Sequence, residues 1–210
     1  MSNKINRAIL SLESTIIPTC NLSRKKISNI EILDVGSGDG TNSALVYENY
    51  GVNLSKYHCL DGDEKRLRYL KSKRPQINCQ VSDFTKESIK SFKPAGYFDI
   101  ALLCEVLEHI ENRSTQYRLV KDITHLVKRR GGFCITFPHK AKLDTKPWGH
   151  RCERVDYEHI CSILKRDFES VNSYFVGGEI RDYTDDSGVV MINNIDPLTQ
   201  TVVIVCLGKL

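Results

Sequence analysis

Short apolar runs alternate with longer segments of helical periodicity over the first two thirds of the chain. The apolar runs lie at residues 30–35, 56–60, 77–81, 98–106 and 132–137. Each run has the length of a strand, and between the runs apolar residues recur at helical spacing. Strands that alternate with helices indicate βαβ units, which assemble into a parallel sheet with helices on both faces.

This rhythm changes after residue 138. A polar loop leads to a predicted helix at 157–166, and two apolar runs follow at 170–178 and 200–208. A long connection rich in Gly, Asp and Asn separates the last two runs, which we expect to pair as an antiparallel hairpin at one edge of the sheet. The sequence therefore predicts an α/β fold with a doubly wound, mostly parallel seven-stranded sheet, helices on both faces and an antiparallel C-terminal strand.

The chain is expected to form one domain over residues 1–210. A helical lead-in occupies 1–29, and the pattern predicts a helix over 3–18 that Pro18 should end. The ligand-binding core is expected at 30–138, and a loop, a helix and the hairpin follow at 139–210. With 210 residues, the chain has the length of one medium-sized domain.

Composition narrows the function classes only slightly. The chain is 40% hydrophobic and 27% charged with a formal net charge of +4, which permits an anionic partner without requiring one. No leader pattern and no run of about 18 apolar residues is present, so we expect a cytoplasmic protein without a membrane span. The eight cysteines are scattered singly, as expected for reduced thiols.

The segment EILDVGSGDGT at residues 31–41 joins the first predicted strand to a helix. In open α/β sheets ligands bind at this end of the strands. Glycines at 36, 38 and 40 let a ligand lie against bare backbone. Asp34 and Asp39 would repel a pyrophosphate, but they suit a ligand with an ammonium and a sulfonium group, such as S-adenosylmethionine (AdoMet).

The spacing of an acid, any residue and GxGxG resembles the first motif of the class I, Rossmann-like AdoMet-dependent methyltransferases. Asp34, Gly36, Gly38 and Gly40 match it, and Ser37 lies within it. The resemblance extends over residues 30–138 and more weakly to the C-terminus. It implies AdoMet as the cofactor and assigns these five residues to its binding.

Two later strand ends match the same family. Asp61, followed by Gly62, ends the second strand, where the family's acid accepts both ribose hydroxyls. Asp63 is expected to be the N-cap of the next helix. Asp83 and Phe84 match the adenine site, with the alternative that Asp83 only caps a helix.

The end of the fourth strand, EVLEHI, resembles the motif of many methyltransferases of small molecules, lipids and sugars. The resemblance places Cys104, Glu105 and Val106 around the methionine part of the cofactor. The same place lacks an NPPY-like tetrapeptide and a Pro-Cys nucleophile. Amino methylation of the nucleic-acid type and cytosine C5 methylation are therefore not expected.

Methyl transfer to a hydroxyl requires removal of its proton, usually by a base near the methyl group. His109 ends the fourth-strand motif and His139 follows the fifth strand, so both are candidate catalytic residues, and His150 is a third. The alternative for His109 is packing against the following helix. The loop at 139–154 is basic and could guide an anionic acceptor, or it could be an ordinary solvated loop.

Two sets of residues resemble metal ligands. Glu105, Glu108 and His109 are similar to the ExxEH motif of small-RNA 2'-O-methyltransferases, but EVLEHI also occurs in relatives without metal. The HxC pairs at 150–152 and 159–161 do not have the spacing of a structural zinc site. No metal is expected.

The sequence thus favours an AdoMet-dependent methyltransferase of a small-molecule acceptor, with oxygen as the target atom. Two alternatives stay open, an RNA methyltransferase and a methyltransferase-like, non-catalytic subunit. A nucleic-acid partner is possible but not favoured, because the net charge of +4 is modest.

Overall fold

The fold is known from a computed structural model that describes residues 3–138, 155–176 and 201–210. Five α-helices lie within these residues, α1 (Asn3–Ser23), α2 (Thr41–Tyr50), α3 (Glu64–Lys73), α4 (Arg113–Leu126) and α5 (Tyr157–Leu164). The same residues contain seven strands, β1 (Ile32–Val35), β2 (Tyr57–Asp61), β3 (Asn78–Val81), β4 (Phe98–Cys104), β5 (Val127–Pro138), β6 (Phe168–Val176) and β7 (Thr201–Lys209). Each predicted apolar run overlaps one strand.

The strands form one sheet in the order β3-β2-β1-β4-β5-β7-β6. The first five strands are parallel, while β7 runs antiparallel to both β5 and β6. The predicted doubly wound sheet with an antiparallel C-terminal strand is therefore confirmed. From β1 the chain moves outward to β2 and β3 and then returns to β4 on the other side of β1. This reversal opens a crevice at the carboxyl ends of the central strands.

Helices cover both faces of the sheet and create two hydrophobic cores. On one face α1, α2 and α3 contribute Leu12, Ile16, Leu45, Val46, Leu67 and Leu70. On the other face α4 and α5 contribute Leu119, Val120, Ile123, Ile160, Ile163 and Leu164. A sheet buried on both faces explains why its strands are nearly continuous apolar runs in the sequence.

The predicted end of the first helix at Pro18 is wrong, because Pro18 lies inside α1. Proline removes one backbone hydrogen bond and costs a helix about 3 kcal/mol. Against this cost, Ile16, Thr19 and Cys20 are buried, and α1 packs on β5 and β7. Each buried large apolar side chain contributes roughly 1.5–3 kcal/mol. Packing against the sheet thus outweighs the local preference.

The predicted N-cap of α3 is confirmed. The Asp63 carboxylate accepts hydrogen bonds from the backbone N–H groups of Lys65 at 2.9 Å and Arg66 at 3.2 Å. These two donors have no partner within the helix, since the first turn of a helix lacks preceding carbonyls. Among the described residues no helix is long and apolar enough to cross a membrane.

The packing of α1 on the sheet requires a glycine at position 132. A Cβ atom there would overlap Thr19 Oγ1 of α1 and would lie 3.1 Å from Thr15 Cγ2. We predict that Gly132→Ala lowers the free energy of unfolding by about 1–3 kcal/mol, because the helix must move away from β5. Urea denaturation measures this change.

Gly62→Ala is the matched control, because its added Cβ would make only an ordinary contact at 3.8 Å with the Ser82 carbonyl oxygen. An equal loss of stability in both variants would contradict the packing argument. An unchanged free energy of unfolding in Gly132→Ala would also contradict it.

Candidate cofactor site

The turn between β1 and α2 forms the floor of the candidate site. The backbone N–H groups of Gly36 and Ser37 donate to the Leu60 carbonyl at 2.7 and 3.2 Å, which ties the turn to β2. Gly36, Gly38 and Gly40 all have positive φ, at 72°, 57° and 87°. Residues with a Cβ rarely adopt this conformation, which explains the GxGxG spacing.

The three glycines meet different surroundings. A Cβ on Gly36 would overlap Val106, and one on Gly40 would overlap Leu70 of α3. Gly38 faces more open space, since its nearest neighbour for an added Cβ is Arg66 Nη1 at 3.6 Å. Gly36 and Gly40 therefore fit the turn to the protein, whereas Gly38 leaves room beside the turn for a ligand.

Asp61 lies at the carboxyl end of β2 and faces this turn. Its Oδ2 accepts from the Gly38 N–H at 2.8 Å and its Oδ1 from the Asp63 N–H at 2.8 Å. The carboxylate is therefore held in one orientation, and each oxygen keeps a lone pair for a further donor. Binding of ribose hydroxyls by Asp61 stays a prediction that this geometry permits.

Asp34 lies beneath the turn, with an exposed fraction of 0%. The Tyr57 hydroxyl donates to its Oδ2 at 2.9 Å, and Asn42 Nδ2 donates to its Oδ1 at 3.4 Å. Burial raises the pKa of Asp34 to about 7, the hydrogen bonds from Tyr57 and Asn42 oppose this, and the charge of Asp61 adds to it. Sequence reasoning missed Tyr57 in β2 and Asn42 in α2. The hydrophobic pattern of these two elements does not indicate that either side chain would contact Asp34.

Asp83 lies beyond β3 on the same edge as Asp61, where the Ser82 N–H donates to the Asp61 carbonyl at 3.0 Å. The Asp83 carboxylate accepts from Lys86 Nζ at 2.7 Å and from the Thr85 N–H at 3.2 Å. The hydrogen bond from Lys86 lowers the pKa of Asp83 to about 2. Asp83 thus stabilises a turn at residues 84–86 and does not cap a helix. Its adenine role stays a prediction beside the buried Phe84.

The backbone turns sharply after β4. Glu105 has a φ of 56°, which a non-glycine residue adopts at a cost of order 1 kcal/mol. Its N–H donates to the Thr136 carbonyl at 2.8 Å, and its Oε1 accepts from Thr136 Oγ1 at 3.3 Å. Cys104 is half-buried and Val106 is buried against the glycine turn. The structure therefore brings the fourth-strand segment beside the first.

His109 follows in a 3₁₀ turn, Leu107–His109. Its side chain is 57% exposed, so it is not packed away against α4, and its Nε2 lies 3.9 Å from Glu108 Oε1. Glu108 is buried, a feature that the motif did not reveal. A role for His109 as a base stays a prediction.

Several predicted features lie outside the described residues, including the candidate base His139, the candidate His150 and the basic loop at 139–154. Within the described ranges no group of three or more His, Cys, Asp or Glu side chains could hold a metal ion. The His159 ring instead packs against the Tyr117 ring at a tilt of 42°, with ring centroids 4.2 Å apart.

A glycine turn, an acid at the next strand end and a strained segment after β4 thus share one edge of the sheet. The methyltransferase domain family matches residues 33–133, the part of the chain that carries this edge. Residues 33–133 thus match a methyltransferase domain, and the sheet has the fold of the class I AdoMet-dependent methyltransferases. The crevice is accordingly the candidate cofactor site.

Relatives and structures agree with this assignment. The chain is 24% identical over 164 residues to a ubiquinone biosynthesis O-methyltransferase from Rickettsia canadensis (strain McKiel). The match covers 78% of this chain but only 64% of that relative, so the chain spans less than two thirds of the relative's length.

The same fold occurs in solved structures of low sequence identity. A SAM-dependent methyltransferase from Archaeoglobus fulgidus aligns with a TM-score of 0.63 and 19% identity, covering 90% of this chain and 92% of that one. The N-methyltransferase NodS from Bradyrhizobium japonicum WM9, crystallised with S-adenosylhomocysteine, aligns with a TM-score of 0.64 and 14% identity, covering 97% and 86%.

The raised pKa of Asp34 makes a prediction about stability. Between the ordinary carboxyl pKa of 3.8 and about 7, the unfolded chain has lost the Asp34 proton that the folded chain still holds. Folding stability must therefore fall as pH rises through this range. We predict that Asp34→Asn removes this pH dependence. Between pH 4 and pH 8 the free energy of unfolding of the variant should therefore rise by a few kcal/mol relative to that of the native chain.

Urea denaturation at a series of pH values measures the effect. Asp39→Asn, at an exposed position of the same turn, is the control and should track the native chain. If the free energy of unfolding changed with pH in the same way for Asp34→Asn and the native chain, the raised pKa of Asp34 would be refuted.

Proposed function

We propose that the methyltransferase transfers a methyl group from AdoMet to a hydroxyl oxygen of a small-molecule acceptor. The observation that supports the proposal is the paired arrangement of Gly38 and Asp61, in which an open stretch of turn lies beside an oriented carboxylate. The choice of oxygen follows the O-methyltransferase relative. The seven cysteines within the described residues are free thiols, in keeping with a reducing compartment such as the cytoplasm.

In the proposed binding mode each strand end contacts one part of the cofactor. Asp61 accepts the ribose hydroxyls, because two oxygens of one carboxylate match two neighbouring donors. Asp83 accepts from the adenine amine, and Phe84 packs beside the ring. Cys104–Val106 borders the methionine part, and Gly38 lets the cofactor lie against the backbone. Asp34 acts from below by supporting the turn.

When bound, AdoMet supplies a methyl group already activated by its sulfonium. The chain must then align the acceptor oxygen, exclude water and remove the hydroxyl proton. We assign the last task to His109, since it follows the strand end beside the proposed methionine site and its imidazole is exposed. A neutral imidazole can accept a proton near neutral pH. His139 is the second candidate for this role.

The cofactor assignment is tested by calorimetric titration of AdoMet and S-adenosylhomocysteine. We predict that Asp61→Asn weakens binding about tenfold or more, because the charge-assisted hydrogen bonds to the ribose are lost. Gly38→Val should abolish binding, since its side chain would fill the open space and its φ is 57°.

Asp39→Asn changes the same charge on the exposed side of the turn and should bind like the native chain. Thermal denaturation establishes that each variant is folded. Native-like affinity in a folded Asp61→Asn variant would remove the ribose assignment.

The base assignment is tested with an acceptor screen that detects S-adenosylhomocysteine production from phenols, sugars and hydroxy acids. For an acceptor that reacts, we predict that His109→Gln lowers kcat about a hundredfold or more while the Kd of AdoMet is unchanged. The loss should be larger at neutral than at alkaline pH, where hydroxide can replace the base.

His125→Gln provides the matched control, because His125 is exposed in the last turn of α4. Native kcat in His109→Gln would shift the role to another group. Transfer to amines and carboxylates but to no hydroxyl would overturn the choice of oxygen.

A further inference from the structure

A second concentration of charge lies at the opposite end of the sheet from the cofactor site. Two basic triplets far apart in sequence, at 24–26 and 128–130, meet there at one buried carboxylate. Lys25 Nζ lies 2.6 Å from Asp99 Oδ1, and Lys128 Nζ lies 3.1 Å from Asp99 Oδ2. The exposed fraction of Asp99 is 2%. This ion pair holds the two triplets side by side.

Further cations extend this region. Lys56 Nζ is 3.9 Å from Glu31 Oε1, next to the same carboxylate. Lys93 and Lys128 both lie over the ring of Tyr97, with Nζ to centroid distances of 5.1 and 5.9 Å. The triplets are thus continuous with two more lysines on one surface.

We name this surface the basic end, made up of Arg24, Lys25, Lys26, Lys56, Lys93, Lys128, Arg129 and Arg130. Its eight positive charges contact two negative charges, those of Asp99 and Glu31, which leaves a formal surplus of six positive charges. The surplus exceeds the net charge of +4 of the whole chain. The mild overall charge therefore conceals a strongly one-sided distribution.

The backbone at the basic end is strained where it carries arginine. Among the described residues only three non-glycine residues have positive φ, and two of them are Arg24 at 55° and Arg130 at 64°. The third is Glu105, at the cofactor site. Glycine would adopt this conformation with less backbone strain, so each arginine keeps its positive charge there at a cost in conformational energy. Strain of this kind is typical of functional surfaces.

An irregularity in β5 exposes the second triplet. Phe98 pairs with Val127, and Ile100 pairs with Gly132. A step of two residues along β4 is therefore matched by a step of five residues along β5. The extra residues bulge out of the ladder, and the side chains of Arg129 and Arg130 are exposed. Bulges of this kind re-aim side chains away from the sheet.

From these observations we propose that the basic end is a docking site for the phosphate backbone of single-stranded RNA. Exposed arginines bind phosphate oxygens in a bidentate manner. A flexible strand with a charge at every nucleotide can follow cations that two separate chain segments present together. A membrane surface fits less well, because it would turn the cofactor crevice, at the other end of the strands, away from the bilayer.

The docking site does not depend on the proposed function. The seven residues of β4 separate the two ends of the sheet by about 20 Å. The nucleotides bound at the basic end therefore lie too far from the crevice to accept the methyl group, and the bound segment acts as a tether. Failure of one proposal leaves the other intact.

The test is fluorescence anisotropy of a labelled 24-nucleotide oligouridylate with the full chain at several salt concentrations. We expect binding at low salt that weakens steeply as salt increases. In the double variant Arg129→Gln/Arg130→Asn binding should weaken about tenfold, and the slope of log K against log salt should decrease by about 1.4 for two lost phosphate contacts. Asn at position 130 tolerates the positive φ.

The matched control is Lys65→Gln/Arg68→Gln, which removes the same charge from the exposed face of α3. This control should bind RNA like the native chain, and AdoMet binding should be unchanged in both double variants. Absence of binding at low salt would overturn the proposal, as would an equal loss in both variants. Tighter binding to anionic phosphatidylglycerol vesicles or to polyglutamate than to RNA would also overturn it, in favour of a membrane or an acidic protein.

Discussion

The attachment of the glycine turn to β2 is the interaction on which the cofactor site depends. The Leu60 carbonyl accepts from two N–H groups of the turn, and the Asp61 carboxylate accepts from a third at Gly38. These contacts fix a turn whose glycines would otherwise leave its backbone flexible. A site already arranged in this way avoids the entropy cost of ordering a loop when the ligand binds. Binding and folding thus use the same few backbone groups.

Buried carboxylates perform different tasks at the two ends of the sheet. Near the cofactor, Asp34 has two uncharged donors, Tyr57 and Asn42, so burial dominates and its pKa rises to about 7. At the other end Asp99 is held by two lysines and by the Glu31 N–H, and its pKa is lowered against the opposing effect of burial. The difference arises from the partners, because both side chains are buried.

The secondary structure and the sheet could be predicted because the central strands are buried apolar runs and some helices begin with a local signal such as Asp63. Pro18 was misjudged, since a helix-breaking residue was weighed without the sheet that α1 packs on. The candidate cofactor residues could be named from motifs that resemble those of the class I methyltransferases. Their supports could not, because the hydrogen bond from Tyr57 to Asp34 joins strands 23 positions apart. The meeting at Asp99 was hidden for the same reason.

The position of β7 between β5 and β6 has a consequence for the order of folding. During synthesis β6 leaves the ribosome before β7, yet among the described strands β6 pairs with β7 alone. β6 must therefore wait for a strand made later, with its ladder groups unpaired in the meantime. Such waiting strands are sites of mispairing between nascent chains. This family architecture thus makes completion of the sheet a late and concerted step, in which the last two strands join together.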